Sequence, residues 1–141
     1  MDEESTSGIH WSFWVIAAIA LVWNSLGVVN YFVQMDPDVI SAYRDSEQAI
    51  IVGRPAWATG AFAVAVFAGA VGSLLLLLKK SAASYFFVAS LIGVIGTMIH
   101  ALGVDIEFGP GEIVGVIVMP LVVAAFLVWY AKSSQIKGWI S

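Results

Sequence analysis

Four windows of this chain, roughly residues 11–34, 56–78, 82–102 and 112–131, each run apolar for about twenty residues, the length an α-helix needs to cross a bilayer. None carries a Lys, Arg, Asp or Glu in its central part. Nothing else in the sequence restricts the fold so strongly, because lipid donates and accepts no hydrogen bonds and a spanning segment must satisfy its own backbone. Composition points the same way. Of 141 residues, 60% are hydrophobic and 11% charged, whereas a soluble domain carries roughly 25% charged residues. The expected fold is all-α and integral to the membrane: one domain over 1–141, a bundle of four transmembrane helices in contact with lipid. The first window does not read as a cleaved leader. Acidic MDEESTSG precedes it in place of a basic segment, and it is too long and lacks a small-residue cleavage site before MDPD.

Lys and Arg in the short connections set the expected orientation. Lys79, Lys80, Lys132 and Lys137 fall on one side, Arg44 and Arg54 on the other. Both termini and the 79–81 turn are therefore expected in the cytoplasm, with residues 35–55 and 103–111 outside. In the first outer connection Asp36 is a good N-cap, Pro37 suits the first helical position and Asp38 the positive dipole end. Ile40, Tyr43, Ile50 and Ile51 fall near one face, which predicts a short amphipathic helix on the membrane surface, stopped by Gly53. In the second, Gly109-Pro110-Gly111 is turn chemistry, and Glu112 suits the start of the fourth span.

Several function classes are disfavoured. A net charge of −4 and the lack of a basic, aromatic-rich patch argue against nucleic acid. There are no cysteines, hence no disulfide or thiolate chemistry. No Ser–His–Asp grouping or phosphate cradle is present, and His10 and His100 fall on opposite sides of the membrane, so neither an enzyme nor a cofactor is expected. Proton-coupled antiport normally uses an ionisable group inside the membrane, and none lies at mid-depth.

Helices in lipid associate through small residues and a few interhelical hydrogen bonds. Positions 17, 20, 24, 27, 31 and 34 alternate by three and four and read Ala, Ala, Asn, Gly, Tyr, Gln, one small-and-polar seam at helix-packing spacing. Span 2 offers Ala61, Ala65, Gly69 and Ser73, with Gly72 beside them. Span 3 offers Ser90, Gly93, Thr97 and His100. Span 4 has Gly115, Ala124 and Ala125, with Pro120 as a predicted kink. A compact bundle follows, expected to form a homo-oligomer or to meet a membrane-protein partner.

Topology brings Asn30, Tyr31, Gln34, Arg54, Trp57, His100 and Glu112 to the outer end, and Asn24 and Thr97 can continue that cluster inward. Three uses are open. These side chains can simply hold the helices together. They can line an outward pocket for passage of a small polar solute or ion. Or His100 can join Asp105, Glu107 or Glu112 in a divalent-metal site, a donor set that suits zinc, although no spaced ligand motif accompanies it. A non-transporting scaffold that binds a partner through its outer loops is the competing class.

At HWSFWVIAAIALVWN (10–24), GRPAWAT (53–59) and FGPGE (108–112), the chain resembles a family of small four-span bacterial inner-membrane proteins often labelled sugar transporters. The resemblance covers nearly the whole chain. It implies location in the bacterial inner membrane and a recurring constellation at the outer face.

Overall fold

The computed structural model describes residues 9–104 and 108–141. Among these residues the protein is all helical, with no strand, and four helices are long and apolar enough to cross a membrane. Helix α1 spans Trp11–Val33. Two short helices follow, α2 over Pro37–Ile40 and α3 over Asp45–Ile51. Then come α4, Ala56–Leu77, and α5, Ala83–Leu102. Helix α6 runs over Pro110–Ile136, with a π-helical turn at Val114–Val118. It is a multi-pass membrane protein built as a four-helix bundle. Large apolar side chains on all four spans, among them Ile19, Val71, Ile92 and Val122, are exposed where lipid solvates them.

The sequence windows match the first three spans to within a residue or so, but α6 runs five residues past its window. Lys132, Ser133, Ser134 and Gln135 continue its last turns because polar residues can remain helical once the chain leaves the hydrocarbon. The expected single surface helix is divided into two. Asp36 caps the first, its side chain accepting the Asp38 N–H at 3.0 Å, and Pro37 takes the first helical position. Gly53, at φ +77°, follows the second.

The bundle is held by consecutive neighbours: α1 lies on α4, α4 on α5, and α5 on α6. The α4–α5 crossing is the tightest. A Cβ on Gly93 would come within 2.6 Å of both the Ala61 carbonyl oxygen and the Ala65 nitrogen, so the helices approach backbone to backbone. Such proximity is the main attraction available to helices in lipid. Helices α1 and α6 are not among the closely packed pairs; at one end Phe13 stacks on Tyr130 with ring centroids 6.3 Å apart.

That end, which holds the 79–81 turn (the turn end), is closed by apolar packing. Phe13, Ala17, Leu76, Ala83, Phe87, Leu127, Tyr130 and Ala131 form the main core, and Ile140 joins them from the tail. The tail is fixed by two backbone bonds: Ser81 N–H donates to the Ser141 carbonyl at 2.9 Å and Ser141 N–H to the Lys79 carbonyl at 3.1 Å. Trp139 meets Phe13 edge-on at 6.0 Å. The opposite end, which carries α2 and α3 (the loop end), is built differently.

In α6 the expected disturbance at Pro120 takes the form of the π turn just before it. Pro120 has no N–H for the carbonyl one turn back, and its ring would collide with that carbonyl; a widened turn removes the conflict.

Candidate functional site: a cavity between the four spans

A cavity of about 460 Å³ lies between the four long helices and opens at the loop end. Helix α1 contributes Trp23, Asn24, Leu26, Gly27, Asn30 and Gln34, and α4 with its leading loop contributes Arg54, Ala58, Phe62, Ala65 and Val66. Helix α5 supplies Phe87, Ser90, Val94, Thr97 and His100, and α6 supplies Gly115, Val116, Pro120, Val123, Ala124 and Leu127. Glu47 and Ile50 of α3 reach it from above. Phe87 and Leu127 belong both to this wall and to the turn-end core, so the cavity is blind.

Asn24 lines it near mid-depth and is 8% exposed. Its Nδ2 donates to the Ala20 carbonyl at 2.9 Å and to Ser73 Oγ at 3.2 Å. Because a carbonyl can only accept, this fixes the amide's orientation. Ser73 in turn donates to the Gly69 carbonyl at 2.8 Å. The Asn24 Oδ1 lies against Gly69, where a Cβ would stand 2.0 Å from it, and it accepts no hydrogen bond from the described residues. Two further hydroxyls on the wall are already committed: Ser90 Oγ donates to the Ala65 carbonyl at 2.6 Å and Thr97 Oγ1 to the Val94 carbonyl at 2.7 Å.

At the mouth, Arg54 Nη2 donates to Gln34 Oε1 at 2.6 Å, and the guanidinium lies over the Phe62 ring, 5.0 Å from its centroid. Burial lowers the Arg54 pKa from its ordinary value, partly offset by the nearby Tyr31 hydroxyl, yet a guanidinium remains protonated under such conditions. Asn30 Oδ1 accepts from the Tyr43 hydroxyl at 2.8 Å. His100 Nε2 lies 3.0 Å from the Ile50 carbonyl; since that oxygen only accepts, this nitrogen carries a proton.

Of the residues singled out in the sequence, Asn24, Asn30, Gln34, Arg54, Thr97 and His100 share this one cavity. Tyr31 does not line it. It packs on Phe62 and Phe67, each at 5.5 Å, and borders a smaller recess of about 200 Å³ with Gln34 and Arg54. Trp57 is 56% exposed on the outer surface and meets His100 edge-on at 6.0 Å. Glu112 stands apart from the cavity. It accepts from the Ser46 hydroxyl and from Gly109 N–H, the latter at 3.0 Å, and lies 3.8 Å from Arg44 Nε, thereby tying α3 to the start of α6. Asp105 and Glu107, the other carboxylates considered for a metal, lie outside the described residues; among the described residues no group of three metal-ligating side chains converges.

The sequence reading missed Glu47, Ile50 and the lower walls Phe87, Val123 and Leu127. Glu47 and Ile50 sit on a short helix whose place over the bundle is marked by contacts between residues distant in sequence, Ser46 with Glu112 and His100 with the Ile50 carbonyl. The lower walls are apolar residues with nothing in their type to distinguish wall from core. Comparison with family models, curated proteins and solved structures finds no match to this chain.

Proposed function

We propose that the protein takes part in moving a small molecule across the bacterial inner membrane, and that the cavity binds that molecule in a state shut at the turn end. What supports this most is that Asn24, Asn30, Gln34, Arg54, Thr97 and His100 gather around one blind cavity of about 460 Å³ inside a single chain. That volume falls in the range of small-molecule sites, roughly 300–1,000 Å³. Sequence alone suggests little room for a solute in one four-helix unit; the separation of α1 from α6 provides it. A bundle selected only to hold together gains nothing by leaving this space, since a void forfeits the dispersion contacts of its lining. The excess of Lys on the turn-end side orients the opening outward.

Because the chain contains no cysteine, single cysteines report the cavity directly. Thr97→Cys and Ser90→Cys should react with a membrane-impermeant thiol reagent added at the outer face, whereas Ala17→Cys and Leu76→Cys, in the closed core, should not. If Thr97→Cys and Ser90→Cys are as inert as Ala17→Cys, the cavity is not water-accessible and the proposal fails. Reaction only from the inner face would invert the orientation. In reconstituted vesicles Asn24→Leu should abolish passage while leaving the fold intact.

A further inference from the structure

We infer that the ligand of this cavity is a single-chain amphiphile with an anionic headgroup, which enters from one leaflet through the gap between α1 and α6. The inference rests on the cavity being a binding site and names what it binds. Its first support is a side opening, additional to the mouth at the loop end. Leu26, 62% exposed, and Trp23, 42% exposed, line the cavity from the middle of α1, and exposed Gly115 lines it from α6. Residues that face both the cavity and the surrounding solvent are its rim, and at this depth the surrounding solvent is acyl chain.

The second support is how hydrogen-bond donors are distributed. Along the shaft both amide hydrogens of Asn24 and the hydroxyl hydrogens of Ser90 and Thr97 are spent on the protein itself. A ligand there meets lone pairs and the apolar walls Val66, Phe87, Val94, Val123 and Leu127. Trp23 at the rim keeps an indole N–H, but a hydroxyl-rich solute would still leave most of its oxygens without a donor, and an unpaired buried polar group is costly. At the mouth the situation reverses. Gln34 and Asn30 each use the amide oxygen, toward Arg54 and Tyr43, which leaves two NH₂ groups beside a guanidinium. Among the described residues that guanidinium has no carboxylate within 4.0 Å, whereas Arg44 lies near both Glu47 and Glu112. Glu47, also at the mouth, is engaged by Arg44 at 3.4 Å; the Arg54 guanidinium and the amide donors at the boundary with water, over a donor-poor apolar shaft, match a carboxylate or phosphate head above a hydrocarbon tail.

The third support is length. The ten-residue rise from Asn24 to Gln34 corresponds to about 15 Å of helix, half of a hydrocarbon core of about 30 Å. From Gln34 to Asn24 the shaft is one leaflet deep, and Phe87 and Leu127 continue its wall below.

The test uses the full chain in lipid nanodiscs with a long-chain fatty acid bearing a diazirine near its tail end. On irradiation the expected adducts lie at Trp23, Leu26 and the α6 wall and are competed by unlabelled fatty acid, but not by a zwitterionic two-chain lipid. Arg54→Gln should raise the competing concentration about tenfold or more, as loss of a charge-assisted contact predicts, with Arg54→Lys intermediate. Gly115→Phe, where no atom lies within 4 Å of a new Cβ, should obstruct the gap without disturbing packing and remove the competed adduct. Adducts spread evenly over the lipid-facing surface without competition would overturn the inference; if Thr97→Cys still reacts from water in that case, the cavity remains a binding site of another kind. A disulfide between Leu26→Cys on one chain and Gly115→Cys on another would also overturn it, since a second copy would then fill the gap.

Discussion

Asn24 shows how a polar residue is made tolerable at mid-membrane. Its Nδ2 donates within α1 to the Ala20 carbonyl and across to Ser73, the bond that ties α1 to α4, and Gly69 leaves it space. A methyl at position 69 would stand 2.0 Å from Asn24 Oδ1 and 2.7 Å from its Cγ, so Gly69→Ala must expel the amide. The expected loss is about 1–3 kcal/mol, the sum of an interhelical bond and the groups left unpaired. Gly60→Ala on the same helix meets nothing within 4 Å and should gain about 0.5–1 kcal/mol through helix propensity. Unfolding of the two variants in detergent distinguishes them; equal stability would mean Asn24 is not seated against Gly69.

The elements differ in how they are fastened. Helices α4 and α5 meet backbone to backbone, and Gly93→Ala finds only main-chain atoms in its way, so it should separate the pair and destabilise the protein more than Gly69→Ala does. By contrast, α3 depends on side chains, chiefly the Ser46–Glu112 contact and the approach of Arg44 to Glu112. Glu112→Ala should leave the spans intact and accelerate amide hydrogen exchange over 45–51 about tenfold, the equivalent of roughly 1.4 kcal/mol of lost local stability. Unchanged exchange would show that α3 is held by its other contacts, among them the His100 bond to the Ile50 carbonyl. The spans themselves were legible from sequence because hydrocarbon imposes one length and one chemistry on them, and the seam of Ala17, Ala20 and Asn24 followed from period alone. The division of the loop helix, the tail's return to the 79–81 turn and the lower cavity walls were not legible. Each depends on contacts between distant residues, such as Ser81 with Ser141 or Ser46 with Glu112, which no local pattern encodes.

For the whole molecule, the turn-end core is the barrier that any path through the bundle must open. Phe87 is 1% exposed, and it is shared by the cavity wall and that core. Phe87→Ala should extend the cavity downward, so that Ala17→Cys, inert in the parent, gains reactivity toward an impermeant reagent. Continued inertness would place the barrier lower, at Phe13 and Tyr130. The separation of α1 from α6 has one more consequence. Edge helices that touch at the turn end and both line the cavity leave a seam beside it that faces one leaflet. Such a seam responds to lateral tension: stretching that leaflet favours opening, and compressing it favours closure. Occupancy of the cavity should therefore differ between small, strongly curved vesicles and large flat ones of the same lipid, which makes the bilayer's mechanical state a variable in whatever the protein binds.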